Sequence, residues 1–348
     1  MEASVARWAG ISLVLFIVMV GVAIVATAVG PANISPDKVV LIILSKVPVV
    51  QDYIAQTWTV GEEAIVINVR LPRILLGLLV GASLAVAGVT TQGIFKNPMA
   101  DPYILGVSSG AAFGASAVIV IGLTIWMQSV SITMGAMAGA LIVSFLVFNI
   151  ARTRNRIPVE TLLLSGIAVS AFFSAITSFL MYVSGHNLSQ IVFWVMGALW
   201  SSNWNHVLIL IPFFVAGSLI IYAFSRDMNL MLLGDDSASH LGSDVNRVKA
   251  ILVAVSSLLA AAAVSVTGII GFVGLIIPHI MRLIVGPDHR VLVPASALVG
   301  AMFLVLADTF ARMIIQPTEM PVGIVTALIG APFFVYLLIR QKKALRGG

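Results

Sequence analysis

Long apolar runs separated by short polar stretches alternate along this chain. A helix rises 1.5 Å per residue, so about 20 apolar residues cross a hydrocarbon core of ~30 Å. The runs are continuous and do not alternate residue by residue, which favours helices over a barrel. They lie near residues 8–30, 71–93, 103–124, 130–150, 161–183, 205–224, 246–267, 269–286, 291–313 and 321–340. We therefore predict an all-α polytopic membrane protein of about ten transmembrane helices, built as a single transmembrane domain over residues 1–348.

Two shorter features need separate interpretation. Residues 191–200 are apolar but too few to cross a bilayer, so we expect an interfacial or re-entrant helix there. Ala26-Thr27-Ala28 resembles a signal-peptide cleavage site. The apolar run before it is longer than the about 7–15 residues of a signal-peptide core, so we expect a retained first span.

Lysine and arginine positions predict the orientation. With a cytoplasmic N-terminus, 14 of the 19 basic residues fall in cytoplasmic loops, as the positive-inside rule requires. Both termini are then cytoplasmic. The outside keeps only Lys38, Lys46, Arg70, Arg73 and Arg312. The three arginines have two interpretations: they snorkel at helix ends, or they receive carboxylates of a soluble partner by bidentate pairing.

Two loops are too long to be simple turns. The outer loop, 31–69, contains a helix-start pattern at Ser35–Lys38 and an apolar segment expected to lie on the membrane surface. The inner loop, 225–246, mixes acids with Met and Leu and is interrupted at Gly234 and Gly242. We predict two short amphipathic helices here. They either meet a soluble partner or rest on the protein's own cytoplasmic face.

A faint internal repeat relates Arg70–Phe95 to Arg247–Phe272, which have equal length and share Ile, Leu and Ala positions. The first copy would enter the membrane from outside and the second from inside. This is the arrangement of inverted-topology repeats in transporters, so we predict an inverted pseudo-repeat.

Composition and motifs exclude several function classes. The chain is 60% hydrophobic and 9% charged, against about 25% charged in soluble domains. It has no cysteine, no GxxxxGK phosphate loop and no HExxH, and its five histidines are scattered. Its basic residues lie between spans and form no nucleic-acid patch. We predict no enzyme activity, metal site, cofactor or nucleic-acid partner, although motifs alone leave intramembrane serine hydrolysis open.

Few polar residues stand inside the spans. Asp308, with Arg312 one turn later, is either a proton relay or an ion pair near the outer end of a span. Because no other clear candidate exists, the sequence argues against an ion-coupled secondary carrier. Transport would then take its energy from another subunit.

Small and hydroxyl residues recur at helical spacing. Gly106, Gly110 and Gly114 share one face, as do Gly135 and Gly139, which predicts close helix packing. A second set could wet one helix face or bond back to its own helix. Its members are Ser170, Ser174, Thr177 and Ser178.

Three stretches carry a specific resemblance. They are RLPRILLGLLVGASLAVAGVTTQGIFKNPMADPYILGVSSGAAFG, GIIGFVGLIIPHIMRLIVGPDHRVLVPASALVGAMFLVLADTFARM and PVGIVTALIGAPFFVYLL. They resemble permease subunits of the iron-chelate/haem/cobalamin ABC importers, the FecCD type, and the similarity covers nearly the whole chain after Arg70.

That resemblance implies partners and site residues. It implies a homodimer in a prokaryotic cell (inner) membrane, two cytoplasmic ABC ATPase subunits and an extracytoplasmic substrate-binding protein. Docking of the binding protein falls on Arg70, Arg73 and Arg312. ATPase coupling falls on Leu233, Gly234, Asp235, Ala238, Leu241 and Gly242, which should face the ATPase. The pathway-lining helix begins near Thr161, with a cytoplasmic gate at Pro158, Val159 and Glu160, where relatives carry small hydroxyl residues.

The sequence therefore predicts an importer permease that passes a metal chelate inward, with a ferric siderophore as the first candidate cargo. Cobalamin, haem or an oxyanion such as molybdate would fit the same class, and an ion-coupled secondary carrier is the alternative from another class.

Overall fold

A computed structural model describes residues 2–30, 32, 34–123, 128–153, 157–315 and 318–346 of the chain. Arg154 and Arg156, which contribute to the predicted charge bias, lie outside these residues. The helices are α1 Glu2–Ala28, α2 Pro36–Leu44, α3 Val60–Ile65, α4 Leu71–Phe95, α5 Val107–Ile121, α6 Gln128–Ala151, α7 Val159–Val183, α8 Leu188–Val195, α9 Trp204–Ala223, α10 Ser225–Met231, α11 Asp235–His240, α12 Val245–Thr267, α13 Val273–Val285, α14 His289–Met313 and α15 Val322–Arg346.

The apolar runs become the long helices of an all-α membrane protein, as predicted. Eight helical segments in the described ranges are long and apolar enough to cross a membrane. The second of them runs from Val60 through α4, because a π-turn at Val66–Arg70 joins α3 to α4 without a break. Two of the ten predicted spans, α5 and α13, are apolar but have only 15 and 13 residues. The predicted short helix within 191–200 is α8.

The two short spans start inside the bundle because the α-helical conformation is interrupted before each of them, and a 3-10 turn at Pro102–Leu105 precedes α5. Gly106 and Phe272 precede α5 and α13 with φ of 80° and 68°, which interrupts any helix arriving from upstream. The Tyr103 hydroxyl donates a 2.8 Å hydrogen bond to the Ile270 carbonyl, so the two interruptions meet. Gln92, on α4, donates to the Leu275 carbonyl at 3.0 Å. Both interruptions therefore lie beside α4, within the core.

Helix α4 is the central element of the fold and packs against α9, α12, α13 and α14. Nearly all of its residues from Val80 to Phe95 are buried. A Cβ on Gly88 would overlap the Gly274 carbonyl, so only glycine permits this approach of α4 to α13. The predicted glycine packing is confirmed at another interface, where Gly110 and Gly114 of α5 lie against Gly139 and Gly135 of α6.

The predicted inverted repeat is visible as two similar units of opposite direction. Helices α4 and α12 are long and buried, and each is followed by an interruption and a short helix. They run antiparallel, because Lys96 at the end of α4 and Lys249 near the start of α12 contact the same residue, Asp235. In the second copy, α12 ends at Thr267, where the predicted span 246–267 also ends. The last five residues of this copy, to Phe272, belong to the interruption, which begins at Gly268 with a φ of 74°.

The bundle has two distinct ends. At the arginine end, α1 and α14 finish and α4 begins, and Arg70 contacts the Thr27 carbonyl. At the α11 end, α4 finishes and α12 begins. Helix α15 starts at the arginine end, where the Gly323 amide donates to the Gly197 carbonyl at 3.1 Å. It follows that α1 starts and α15 finishes at the α11 end, so the two ends of the chain share one side.

The loop between α1 and α4 forms a small folded unit at the arginine end. Val39 and Ile42 of α2 are buried against Trp58 and Val66. Lys38 pairs with Glu62 at 2.8 Å, and this pair ties α2 to α3. The start of α2 at Pro36 agrees with the predicted helix start.

Candidate functional site

Asp308 is the centre of a buried charge cluster at the arginine end. Arg73, in the first turn of α4, donates from Nε to Asp308 Oδ2 at 2.9 Å and from Nη2 to Oδ1 at 2.8 Å. Arg312 Nε lies 3.3 Å from the same Oδ2. Arg73 Nη1 also donates to Glu319 at 2.7 Å. One carboxylate is therefore shared by two guanidinium groups, and the bidentate pair fixes α4 against α14.

Arg70 and Arg312 also cap the end of α1. Arg70 Nη1 donates to the carbonyls of Thr27 and Ala28 at 2.8 and 2.9 Å, and its Nη2 donates to Ala32. Arg312 donates to the carbonyls of Ala26 and Val29, both at 3.2 Å. The last carbonyls of a helix lack partners within the helix, and cations are favoured beside them. The two arginines therefore complete the C-terminal turn of α1.

The structure corrects the expected state of the three arginines. It brings Arg70, Arg73 and Arg312 together as predicted, but they are only 5, 7 and 4% exposed. Their donors are occupied by the chain's own acids and carbonyls, so they are not free guanidinium groups facing outward. Their docking role stays a prediction.

Sequence reasoning found the ion pair within α14 but missed the larger cluster. Arg73 contacts Asp308, 235 residues later in the chain, and Glu319, 246 residues later. Contacts between residues so far apart leave no pattern in the local sequence. In the sequence, the only indication of this cluster was that three arginines lie on the side of the membrane predicted to hold few basic residues.

At the α11 end, the predicted pair of short helices is present as α10 and α11. Gly234 separates them with a φ of 115°, and Gly242 ends α11 with a φ of 90°, so both interruptions need glycine. Leu233 and Leu241 are 66 and 56% exposed. The exposed leucines form an apolar patch at this end.

Two predicted coupling residues contact the protein itself. Ala238 is fully buried, so it does not lie on the exposed face of α11, and its contact with an ATPase stays a prediction. Asp235 turns toward the protein's own lysines: Oδ1 lies 2.7 Å from Lys96 Nζ, and Oδ2 pairs with Lys249 Nζ. Burial would raise the pKa of Asp235, but the two ammonium groups outweigh it and hold that pKa below its usual value.

The predicted pathway helix is α7, whose first residue, Val159, follows the N-cap Pro158. Glu160 in the first turn is exposed, as is Pro158, and Val159 is half-buried. These positions lie at the α11 end, where the gate was predicted.

The hydroxyl residues of α7 divide between the two interpretations that their spacing allowed. Thr177 is buried and donates to the Phe173 carbonyl at 2.9 Å, while Ser178 donates to the Ser174 carbonyl at 3.0 Å. Ser174 and Ser178 are exposed, and Ser170 is half-buried with its Oγ beside Gly106. Bonding back to the helix is thus the interpretation that the structure supports for Thr177 and Ser178.

Sequence reasoning missed a cavity of about 330 Å³ at the arginine end. It lies between α6, α8, α9 and the end of α12. Polar and aromatic side chains line it, among them Thr133, Gln190, Trp194, Trp200, His206 and Thr267. Gln190 and His206 each stand where a polar stretch meets an apolar run, so their positions along the chain do not indicate a cavity. Among the described residues, no group of three or more His, Asp or Glu is arranged to hold a metal ion.

These features define a class before any comparison is made. A helical bundle with interrupted helices that meet at its core, inverted repeats and a pair of short helices at one end has the architecture of a membrane transport protein.

The comparisons with known proteins agree with that class. The chain belongs to the FecCD transport family, whose model matches residues 13–340. It is 53% identical to the cobalamin import system permease protein BtuC of Halobacterium salinarum over 81% of this chain and 76% of that protein. It is 41% identical to the hemin transport system permease protein HmuU of Yersinia pestis over 81% of this chain and 85% of that protein.

A solved structure is also similar. It is described as an inward-facing conformation of a protein assigned to the metal-chelate type of ABC transporter. The TM-score is 0.81 at 34% identity, covering 95% of this chain and 99% of that one.

Proposed function

We propose that this chain is the membrane subunit of an ABC importer that passes a metal chelate, haem or cobalamin into the cytoplasm. The observation that carries the proposal is the α10–α11 pair, which presents exposed Leu233 and Leu241 at one end of a transport bundle. The chain itself has no phosphate-binding loop. A separate ATPase subunit that binds this leucine patch supplies the energy.

The orientation follows from the same assignment. The α11 end is cytoplasmic, because the ATPase works where ATP is. Both termini then lie in the cytoplasm of a prokaryotic cell, and the arginine end faces outward. This agrees with the excess of basic residues predicted for the cytoplasmic loops.

The complete importer contains two copies of this chain, two ATPase subunits and an external binding protein. Exposed Ser174 and Ser178 on α7 support a second copy facing this helix, since polar side chains of a span normally turn toward protein or water. Between the two copies, a cavity opens alternately to each side as the ATPases close. The binding protein supplies the affinity for cargo.

Docking of the binding protein belongs to the arginine end, but we assign the arginines a positioning role there. Arg70 and Arg312 hold the end of α1, from which the folded outer loop departs. The loop presents Tyr53, 88% exposed, and Val49, 81% exposed, on its surface. Tyr53→Ala should weaken binding-protein affinity without changing the thermal unfolding of the permease. Unchanged affinity would remove the loop from the docking surface.

The cargo is the open part of the proposal. A ferric siderophore was the first candidate from the sequence, with cobalamin, haem and molybdate as alternatives. The 53% identity to a cobalamin permease, against 41% to a hemin permease, favours testing cobalamin first.

The test is uptake into proteoliposomes that hold this chain, its genomically neighbouring ATPase and the cognate binding protein. Cyanocobalamin, haem, a ferric hydroxamate and molybdate are offered separately, with ATP inside the vesicles. We expect uptake of one of them that requires both ATP and the binding protein. Mass spectrometry of ligand that co-purifies with the binding protein identifies the cargo independently. ATP-independent uptake by this chain alone, driven by an ion gradient, would overturn the proposal in favour of a secondary carrier.

A further inference from the structure

Asp235 joins three elements that are otherwise separate at the α11 end. It is the first residue of α11, and its carboxylate contacts Lys96, which ends α4, and Lys249, near the start of α12. Lys249 has only 5% of its side chain exposed, against 35% for Lys96. Asp235 is thus the counter-ion of a buried ammonium group as well as of an exposed one. Removing its charge would leave Lys249 buried and unpaired.

The contact with Lys96 leads into a chain of hydrogen-bonded turns. The Asn97 amide donates to the Gln92 carbonyl at 3.2 Å, the Ala100 amide to the Asn97 carbonyl at 3.1 Å, and the Tyr103 amide to Asp101 Oδ1 at 2.8 Å. The connection between α4 and α5 is therefore ordered by hydrogen bonds to its own backbone and side chains. A displacement of Lys96 moves this connection as a unit.

The same connection touches α7. A Cβ on Gly166 of α7 would overlap the Ile104 carbonyl, so helix and connection are in direct backbone contact. Helix α7 also packs against α5 and α6, and most of its remaining surface is exposed. Movement of the connection therefore reaches the helix that is predicted to line the pathway.

We propose that Asp235 is a positioning residue that transmits movement of α11 to the α4–α5 connection and, through it, to α7. The proposal rests on the proposed function, because an ATPase must displace α11. It differs from the sequence-based expectation for Asp235, in which this carboxylate contacts the ATPase directly. Lysine suits the role, since a single ammonium on a flexible stem keeps its partner through a change of geometry.

The experiment uses spin labels in the assembled complex with its ATPase. The chain has no cysteine, so cysteines introduced at Ser239 on α11 and Met99 on the connection can be labelled selectively. Labelled copies are diluted with unlabelled ones, and distances are measured with and without ATP and vanadate. In the parent protein, we expect the distance from Ser239 to Met99 to stay unchanged on trapping, because both sites move together.

A second pair shows whether α11 moves at all. Labels at Ser239 and at Arg290, at the start of α14, should change their separation on trapping. If this separation does not change on trapping, or if no ATPase assembles with the permease, the proposed function is wrong. Such a result would not come from the role assigned to Asp235. The two failures are thereby distinguished.

The following variants test the role of the Asp235 carboxylate. In Asp235→Asn, we expect the distance from Ser239 to Met99 to lengthen and broaden on trapping, because α11 moves without the connection. Asp235→Glu, which keeps a carboxylate between Lys96 and Lys249, should retain the parent behaviour. The matched control is Asp236→Asn, which removes a charge from the adjacent exposed residue and should change nothing. Parent-like distances in Asp235→Asn would overturn the proposal. Should that variant fail to assemble, Lys96→Gln tests the same contact and keeps the Lys249 pair.

Discussion

Each end of the bundle holds one carboxylate between two cations, but the two arrangements differ. At the arginine end, Asp308, Arg73 and Arg312 are all buried, and a bidentate guanidinium fixes the geometry. At the α11 end, 43% of the Asp235 side chain is exposed, and its partners are lysines. The planar guanidinium group of arginine pairs with a carboxylate in one fixed geometry, whereas the ammonium group of lysine can pair with it in several. The comparison indicates an arginine end that keeps its shape and an α11 end that can move.

The largest expected effect is at the arginine end. Asp308→Asn leaves two buried guanidinium groups without their shared charge, which should cost about 3–5 kcal/mol of stability. Thermal unfolding in detergent, followed by tryptophan fluorescence, measures it. Glu319→Gln is the control, because the Glu319 side chain is 30% exposed and pairs with Arg73 through one nitrogen, so the loss of stability should be much smaller. Equal effects of the two variants would mean that the cluster is not organised around Asp308.

Exchanging the two cation types tests the comparison directly. Arg73→Lys loses the bidentate pair and the bond to Glu319, so we expect a loss of about 2 kcal/mol from charged hydrogen bonds. Lys96→Arg at the α11 end keeps a donor to Asp235 in a half-exposed position and should leave the unfolding temperature unchanged. A Lys96→Arg variant as unstable as Arg73→Lys would show that both ends are equally rigid.

Gly234 is expected to affect association more than stability. Its φ of 115° with a ψ of 150° is accessible almost only to glycine, so Gly234→Val strains the α10–α11 turn by about 1–3 kcal/mol. We expect weaker co-purification of the ATPase, with the bundle still folded. Gly10→Val on α1, where a Cβ meets no other group, is the matched control. Normal ATPase binding by the Gly234 variant would contradict the assigned surface.

The pH dependence of the Asp235 contact should be confined to acid. Because its pKa is lowered in the folded protein, the contact contributes fully above the ordinary aspartate value of about 3.9 and is lost as the pH falls through the lower folded value. A spin label at Ser239 should keep the same mobility from pH 7 to 5 and become more mobile only below about pH 4. Asp235→Asn should show no such transition, and a transition near neutral pH would exclude this carboxylate as its source.

The smallest effect is expected for the Lys38–Glu62 pair between α2 and α3. Lys38→Met removes the partner of Glu62, but both side chains still reach solvent, with 33 and 21% exposed, so the unfolding temperature should change very little. A clear loss would show that the arginine end depends on its surface pairs as well as on Asp308.

Apolar length predicted most of the fold because crossing a bilayer is a local requirement. The helices match the predicted runs closely except at α5 and α13. There, the interruptions depend on a contact between Tyr103 and Ile270, 167 residues apart, which no local pattern contains. The starts of α5 at residue 107 and of α13 at residue 273 could therefore not be predicted from the sequence.

The candidate site likewise contains some features that the local sequence predicts and others that depend on distant contacts. Gly234 and Gly242 were predicted correctly as interruptions around two short helices, since turn propensity follows from residue type. The coupling role of Leu233 and Leu241 stays a prediction. The side to which Asp235 turns was not predictable, because Lys96 lies 139 residues upstream. Helical spacing alone also could not decide whether Thr177 faced a pathway or its own backbone.

The capping of α1 by distant arginines sets an order for membrane assembly. Helix α1 is synthesised first, yet the carbonyl of Ala26 meets its partner in Arg312, 286 residues later. Until α14 has been inserted, the carbonyls in the last turn of α1 lack the hydrogen-bond donors of Arg312, and Arg73 lacks its partner Asp308. The arginine end therefore closes only when nearly the whole chain is present, which gives a membrane protease a physical means of separating finished permease from truncated chains.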